Sequence, residues 1–253
     1  MTITLIRSTI FIVWFSLVTA ILAVVFLPAL LMPRVATMHM ARWWVGLNFW
    51  GLRVFAGLGF EVRGTPPGKG VLIALKHMSM WETMAIYYLL DDPAIVLKRS
   101  LTNVPFYGWY LRKARMISID REGGAHALRA MAAKARERLG EGRAIAIFPE
   151  GTRVKPRRPP DYKPGVAALY TQLGIPCVPV ALNSGLFWTG PMGYLKKKGT
   201  IIIEFLPTIP AGMPRREFMA RLQNDIETAT GKLISEGEAM LAAEGLLSPA
   251  QVS

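Results

Sequence analysis

VLIALKHMSMWETMAIYYLL, residues 71–90, is the stretch whose reading decides the fold. An apolar run, VLIAL (71–75), ends at Lys76 and His77, and a helical pattern from Glu82 to Leu90 follows after a short turn. A strand feeding a helix through a polar turn is the repeating unit of α/β proteins, whose sites gather at the carboxyl ends of strands. His77 stands at such an end. Further strand-like runs are AIVLK (94–98), MISI (116–119), AIAIF (144–148), CVPVAL (177–182) and TIIIEF (200–205). Helical patterns at 105–112, 125–139, 165–173 and 215–243 lie between or after them. The alternation predicts one α/β domain. The loop RVKPRRPPDYKPG (153–165) is the main irregular segment, because its four prolines exclude regular structure.

Before residue 60 the pattern changes. Ser8 to Pro33 is a run of 26 residues without a charge, and a spanning helix needs about 20. A cleavable signal peptide is the competing reading, but its apolar region is normally about 7–15 residues. An uncleaved anchor is expected. Pro28 and Pro33 kink or end the helix. The next stretch carries Trp43, Trp44 and Trp50 with Arg42 and Arg53, a pattern of membrane interfaces. One true span and two helices lying in one leaflet both fit.

Across 253 residues, apolar types make up 52% and charged types 19%, which excludes intrinsic disorder. The net charge is +13, and it is unevenly placed. Residues 1–60 carry four Arg and no acid, and residues 98–163 carry 16 basic and six acidic residues. With an apolar anchor beside it, that charge points to anionic lipid headgroups rather than nucleic acid. If the segment spans, the basic bias after it places the main domain in the cytoplasm. Cys177 is the one cysteine, in a run that reads as a buried strand, so no intrachain disulfide forms.

His77 and Glu82 form the first constellation. In one regular helix a spacing of five turns the two side chains ~140° apart. With His77 in the preceding turn, Glu82 can reach back, fix the imidazole tautomer and leave the other nitrogen to take a proton from a hydroxyl. A capping box explains Glu82 equally well, with Ser79 as N-cap and Glu82 at N3. Spacing leaves both open. The second constellation is AIAIFPEGTR (144–153). It reads as a β-turn with Pro149 at the second position, or as a turn presenting Glu150 and Arg153, with Gly151 permitting close approach and Arg153 suited to phosphate. Asp120 and Arg121 end the run MISIDR, and Arg121 is a second phosphate candidate; IPCVPVALNSG (175–185) says little alone. His39 reads as interfacial and His126 as exposed. Three dispersed histidines give no metal cluster. There is no G-x-S-x-G elbow, Walker A sequence or H-E-x-x-H motif. Lys196, Lys197 and Lys198 read as a solvated face.

Taken in order, KHMSMWET, ISIDR, FPEGTR and VPVALNSG resemble the four blocks of the glycerolipid acyltransferases, over roughly residues 70–190. Two positions depart from the usual pattern: Glu82 stands where the first block's H-x4-D has Asp, and Arg115 where Gly is common. The resemblance implies an acyltransferase domain over 59–253, with a central mixed sheet flanked by helices, behind an N-terminal membrane anchor over 1–58. It implies transfer from acyl-ACP or acyl-CoA to the sn-2 hydroxyl of a lysophospholipid such as lysophosphatidate, in phospholipid biosynthesis. His77 would be general base, oriented by Glu82. Glu150, Gly151, Thr152 and Arg153, with Arg121, would hold the glycerol phosphate. No cofactor, metal or nucleic acid is implied. The partners are the bilayer, the lysophospholipid acceptor and the thioester donor, at the cytoplasmic face of the inner (plasma) membrane. Another acceptor, such as lyso-ornithine lipid, or a non-catalytic role in binding anionic lipid, are the alternatives.

Overall fold

The computed structural model describes residues 2–120, 123–189 and 193–246. Two helices open the chain, α1 (Thr2–Val25) and α2 (Arg34–Gly51). Pro28 lies in a short 3-10 turn (Leu27–Leu30) and Pro33 immediately precedes α2, so the prolines separate two helices instead of kinking one. A π-helical turn (Leu52–Ala56) leads into the sheet.

The strands are β1 (Leu58–Arg63), β2 (Leu72–Leu75), β3 (Ala94–Lys98), β4 (Ile117–Ile119), β5 (Ile145–Ile147), β6 (Cys177–Leu182), β7 (Trp188–Thr189), β8 (Leu195–Lys196) and β9 (Gly199–Phe205). The remaining helices are α3 (Trp81–Leu89), α4 (Tyr107–Lys113), α5 (Gly124–Gly140), α6 (Gly165–Leu173), α7 (Ser184–Phe187) and α8 (Arg215–Ala243). Seven strands form one mixed sheet in the order β1-β9-β6-β2-β5-β3-β4. Every neighbouring pair is parallel except β6 and β9. All six strands expected from the sequence are present. β1, β7 and β8 were not expected; the residues of β1, LGFEVR, follow the aromatic run of α2.

Strand β2 shows why its sequence is apolar throughout. Successive side chains point to opposite faces. Ile73 and Leu75 join the core layer shared with α1, α2 and α3, while Leu72 and Ala74 join the layer under α5, α6 and α8. Both faces are covered, as parallel sheets require. Cys177 is buried at the start of β6.

The N-terminal helices are packed onto the catalytic sheet. Phe49 of α2 stacks on Trp81 of α3 at 5.5 Å. Arg34 forms a bidentate pair with Asp92 at 2.5 and 2.6 Å, a geometry that suits guanidinium and carboxylate. Helix α1 is held near both ends: Ser8 Oγ accepts from the Lys196 amide at 2.9 Å, and the Ala23 carbonyl accepts from the Tyr110 hydroxyl at 2.9 Å. At Gly51 an added Cβ would lie 2.2 Å from the Trp14 ring, so the close approach of α1 to α2 needs glycine. The outer face of α1 exposes Ile3, Ile6, Ile10, Val13, Leu17 and Ile21. The expectation for Lys196 is corrected. It is 3% exposed, its ammonium 4.4 Å from the Trp188 ring centre and bonded to the carbonyls of Gly193 and Tyr194. Its neighbours Lys197 and Lys198 are more open.

Candidate active site

Strands β2 and β5 are parallel neighbours with Ala74 opposite Ile147. The chain therefore leaves both strands side by side, and Lys76-His77 meets Phe148-Pro149-Glu150 although the segments are far apart in sequence. This register is what assembles the site.

His77 Nδ1 lies 2.8 Å from Glu82 Oε1. An ionised carboxylate only accepts, so Nδ1 carries a proton, and in the neutral form of the ring Nε2 then keeps its lone pair. Among the described residues Nε2 has no hydrogen-bond partner, and His77 lines a cleft of about 630 Å³. Its ring stacks on Phe148, centroids 4.0 Å apart.

Glu82 is fully buried and fully used. Oε1 also accepts from the amides of Met78 and Ser79, each at 2.6 Å. Oε2 accepts from the hydroxyls of Ser79 at 2.8 Å and Ser184 at 2.7 Å. Burial alone would push this carboxyl up, but the bond and charge of His77, with the Ser79 and Ser184 donors, outweigh it and hold it below its ordinary value. Ser79 Oγ accepts from the Trp81 amide at 3.0 Å while Glu82 reaches back to the Ser79 amide. These bonds resemble the expected capping box, but the helix starts at Trp81 with Met80 at its N-cap position, so Glu82 stands at the second helical position and not the third.

In the second constellation the Gly151 amide donates to the Phe148 carbonyl at 3.0 Å, closing a β-turn with Pro149 at its second position and Gly151 at φ +66°. The same turn places Thr152 and Arg153, both exposed, on the cleft. Among the described residues Arg153 makes no hydrogen bond or ion pair, so its guanidinium is available to an anion.

Glu150 is placed differently from a phosphate ligand. It is 1% exposed; Oε1 accepts from Lys76 Nζ at 2.7 Å and Oε2 from the His77 amide at 3.1 Å. Burial pushes its carboxyl up, against the opposing pull of Lys76. The Val154 amide donates to the His77 carbonyl at 2.8 Å, so the loop after β5 grips the histidine backbone on both sides. Lys76, itself 2% exposed, also bonds both carboxylate oxygens of Glu227 on α8, at 2.7 and 2.9 Å. Tyr162 donates its hydroxyl to Glu227 at 2.9 Å.

The structure thus brings together His77, Glu82, Glu150, Gly151, Thr152 and Arg153. Arg121 lies outside the described residues. Sequence reasoning missed Ser184, Lys76, Tyr162 and Glu227. Ser184 was signalled by the fourth block. Glu227 had no local signal, since it is one acid on an amphipathic helix.

Fold and site define a class of protein: an α/β domain with a cleft at its strand ends, where a buried carboxylate orients a histidine beside a turn that presents an arginine. Comparison with known proteins gives the family. The Acyltransferase family model matches residues 59–183. A 1-acyl-sn-glycerol-3-phosphate acyltransferase of Pseudomonas aeruginosa is 35% identical over 195 residues, 76% of each chain. A lyso-ornithine lipid O-acyltransferase of the same organism is 26% identical over 76% of this chain and 78% of its own. The crystal structure of the lysophosphatidate acyltransferase PlsC from Thermotoga maritima shares the fold, with a TM-score of 0.73 and 18% identity over 90% of this chain and 96% of that one. The chain belongs to the acyltransferase family.

Proposed function

We propose that this enzyme acylates the sn-2 hydroxyl of 1-acyl-sn-glycerol-3-phosphate, taking the acyl group from acyl-ACP or acyl-CoA and making phosphatidate. The observation that carries this reading is His77 Nε2, unpartnered among the described residues, on the cleft that Arg153 also lines, with Glu82 behind it. The 35% identical relative supports the acceptor. Nε2 takes the hydroxyl proton as the oxygen attacks the thioester carbon. The oxyanion collapses, the C–S bond breaks, and the imidazolium returns the proton to the departing thiolate. Glu82, held ionised, stabilises the imidazolium. No cofactor is needed for these steps. Arg153 and Thr152, with Arg121, receive the acceptor phosphate; Glu150 frames the site through Lys76 and the His77 amide.

The α1–α2 pair is read as lying in one leaflet at the cytoplasmic face of the membrane. Among the described residues, helix α1 alone is long and apolar enough to cross. Being tied to the catalytic domain at both Ser8 and Ala23 argues for a helix lying along the domain, its apolar face in lipid.

The test is purified protein with lysophosphatidate and each donor, wild type against His77→Ala. Full turnover by the variant would overturn the assignment of the base. The lyso-ornithine relative motivates a second acceptor. Preference for that zwitterionic acceptor, undiminished in Arg153→Ala, would displace the phosphate reading.

A further inference from the structure

We propose that residues 98–113, which run from the end of β3 through α4, form a second membrane contact at the mouth of the site, docking on an anionic bilayer beside the α1–α2 pair. Residues 98–115 carry five basic residues and no acidic one. Arg115 is drawn away to Glu137 and Glu141. Lys98 and Arg99 lie exposed at the start of the segment, and at its end Arg112 is exposed and Lys113 half-buried. Between them Leu101, Val104, Phe106, Tyr107 and Trp109 are 37–43% exposed. Aromatic and aliphatic side chains bracketed by basic ones suit a headgroup boundary, where rings enter the acyl region and cations meet phosphate.

The segment is built to present these groups. Phe106 is held at φ +59°, a region that bulky residues avoid, and its ring packs with Trp109 at 4.9 Å. A Cβ at Gly108 would lie 2.2 Å from the Thr102 carbonyl oxygen, so the turn closes only with glycine there. Its place in the fold names the occupant. Tyr110 is bonded to the Ala23 carbonyl of α1, and α4 packs on the turn at Leu27–Leu30, next to Leu31, which is 92% exposed. The patch thus continues the apolar surface of the N-terminal helices. Tyr107 lines both the catalytic cleft and a second cavity of about 470 Å³ between α1, α2 and α4. A bilayer touching this rim lies against the entrance to His77. An acidic carrier protein would also meet the charge, but exposed rings continuous with α1 favour lipid.

The inference rests on the membrane reading above but needs no catalysis to test. Cys177 is buried, so a fluorophore on Trp109→Cys in the full chain reports one position. With brominated phosphatidylglycerol vesicles the label should be quenched, and a label on Lys134→Cys, exposed on α5, should not. A label at 109 that stays in water while the protein is vesicle-bound overturns the proposal. So does shielding by acyl carrier protein and not by vesicles. Val104→Ser with Trp109→Ser, which line neither cavity, should raise KM for vesicle-borne lysophosphatidate about tenfold, which corresponds to about 1.4 kcal/mol of lost membrane affinity. Turnover of a soluble short-chain acceptor should stay within about twofold, because no cleft contact is lost. An equal loss on both acceptors would overturn it. Wild type inactive on both acceptors, with the label still quenched, would leave this contact standing and refute the proposed reaction instead.

Discussion

Ser184 donates its hydroxyl to Glu82 Oε2 at 2.7 Å, joining the fourth block of the chain to the first. The bond explains why two segments 102 residues apart work together. Ser184 follows β6, and β6 lies against β2, which leads into His77. A carboxylate holding a protonated Nδ1 needs its other oxygen satisfied when buried, or desolvation would favour its protonation. Ser79 and Ser184 do this. Ser184→Ala should leave folding intact and lower kcat by about tenfold, the order of one lost hydrogen bond to a charged group. KM for both substrates should hold. Steady-state kinetics with thermal melting would separate this from a folding defect.

His77→Ala should lower kcat by ~10²–10⁴-fold, the usual contribution of a positioned general base. Its backbone stays held by Glu150 and Val154, so the melting temperature should change little. A single-turnover assay that bypasses product release is the check.

Glu82→Gln tests charge against geometry. The amide oxygen can still accept from the Met78 and Ser79 amides while its NH2 donates to the hydroxyls of Ser79 and Ser184, but it no longer stabilises an imidazolium, so kcat should drop steeply with KM little changed. The sign of the pH effect follows from the carboxyl's lowered value. A carboxyl with a depressed folded pKa contributes stability above its unfolded value, near 4.3, and that contribution is lost as pH falls through the folded value. Wild type should therefore lose stability relative to Glu82→Gln on acidification below about pH 4.3. Urea midpoints of the two proteins across that range decide it.

Much of this was legible in residues and some was not. The strands showed themselves as short apolar runs because both sheet faces are covered. Block positions at strand ends pointed to His77 and the turn at 149–153. β1 stayed hidden because its LGFEVR follows a helix equally rich in Trp and Phe, and its partner β9 lies far along the chain. The partner of Glu150 was hidden for a physical reason. A motif shows a carboxylate beside an arginine, while only the fold shows Lys76 arriving from β2. Burial of Lys196 was equally invisible, since a run of three lysines gives no sign that one stands over Trp188.

The Lys76 cluster predicts an asymmetry. Glu150→Gln keeps a hydrogen-bonding side chain and leaves Lys76 paired with Glu227, so stability should fall only slightly. Lys76→Met leaves Glu150 and Glu227 facing each other without a cation and should cost about 3–5 kcal/mol, the usual penalty for stranding a buried charge. Adding Glu150→Gln to Lys76→Met should restore part of that loss. A double-mutant cycle by chemical denaturation measures the coupling.

Arg153→Ala removes a guanidinium that faces the cleft and is bonded to no protein group among the described residues. A charge-assisted hydrogen bond contributes roughly 1.5–3 kcal/mol, so KM for a phosphate-bearing acceptor should rise about 10- to 100-fold. The protein itself should be no less stable, because the side chain is exposed and holds nothing in place. The effect should be specific to the acceptor, leaving KM for the thioester donor within about twofold, since uniform binding is lost at one substrate only. Arg153→Lys should recover only part of the affinity, because an ammonium lacks the planar fork that engages two phosphate oxygens. Initial rates with acceptor and donor varied separately test this. A matched rise in both KM values would mean that the variant disturbs the turn at Gly151 and that Arg153 does not bind the acceptor.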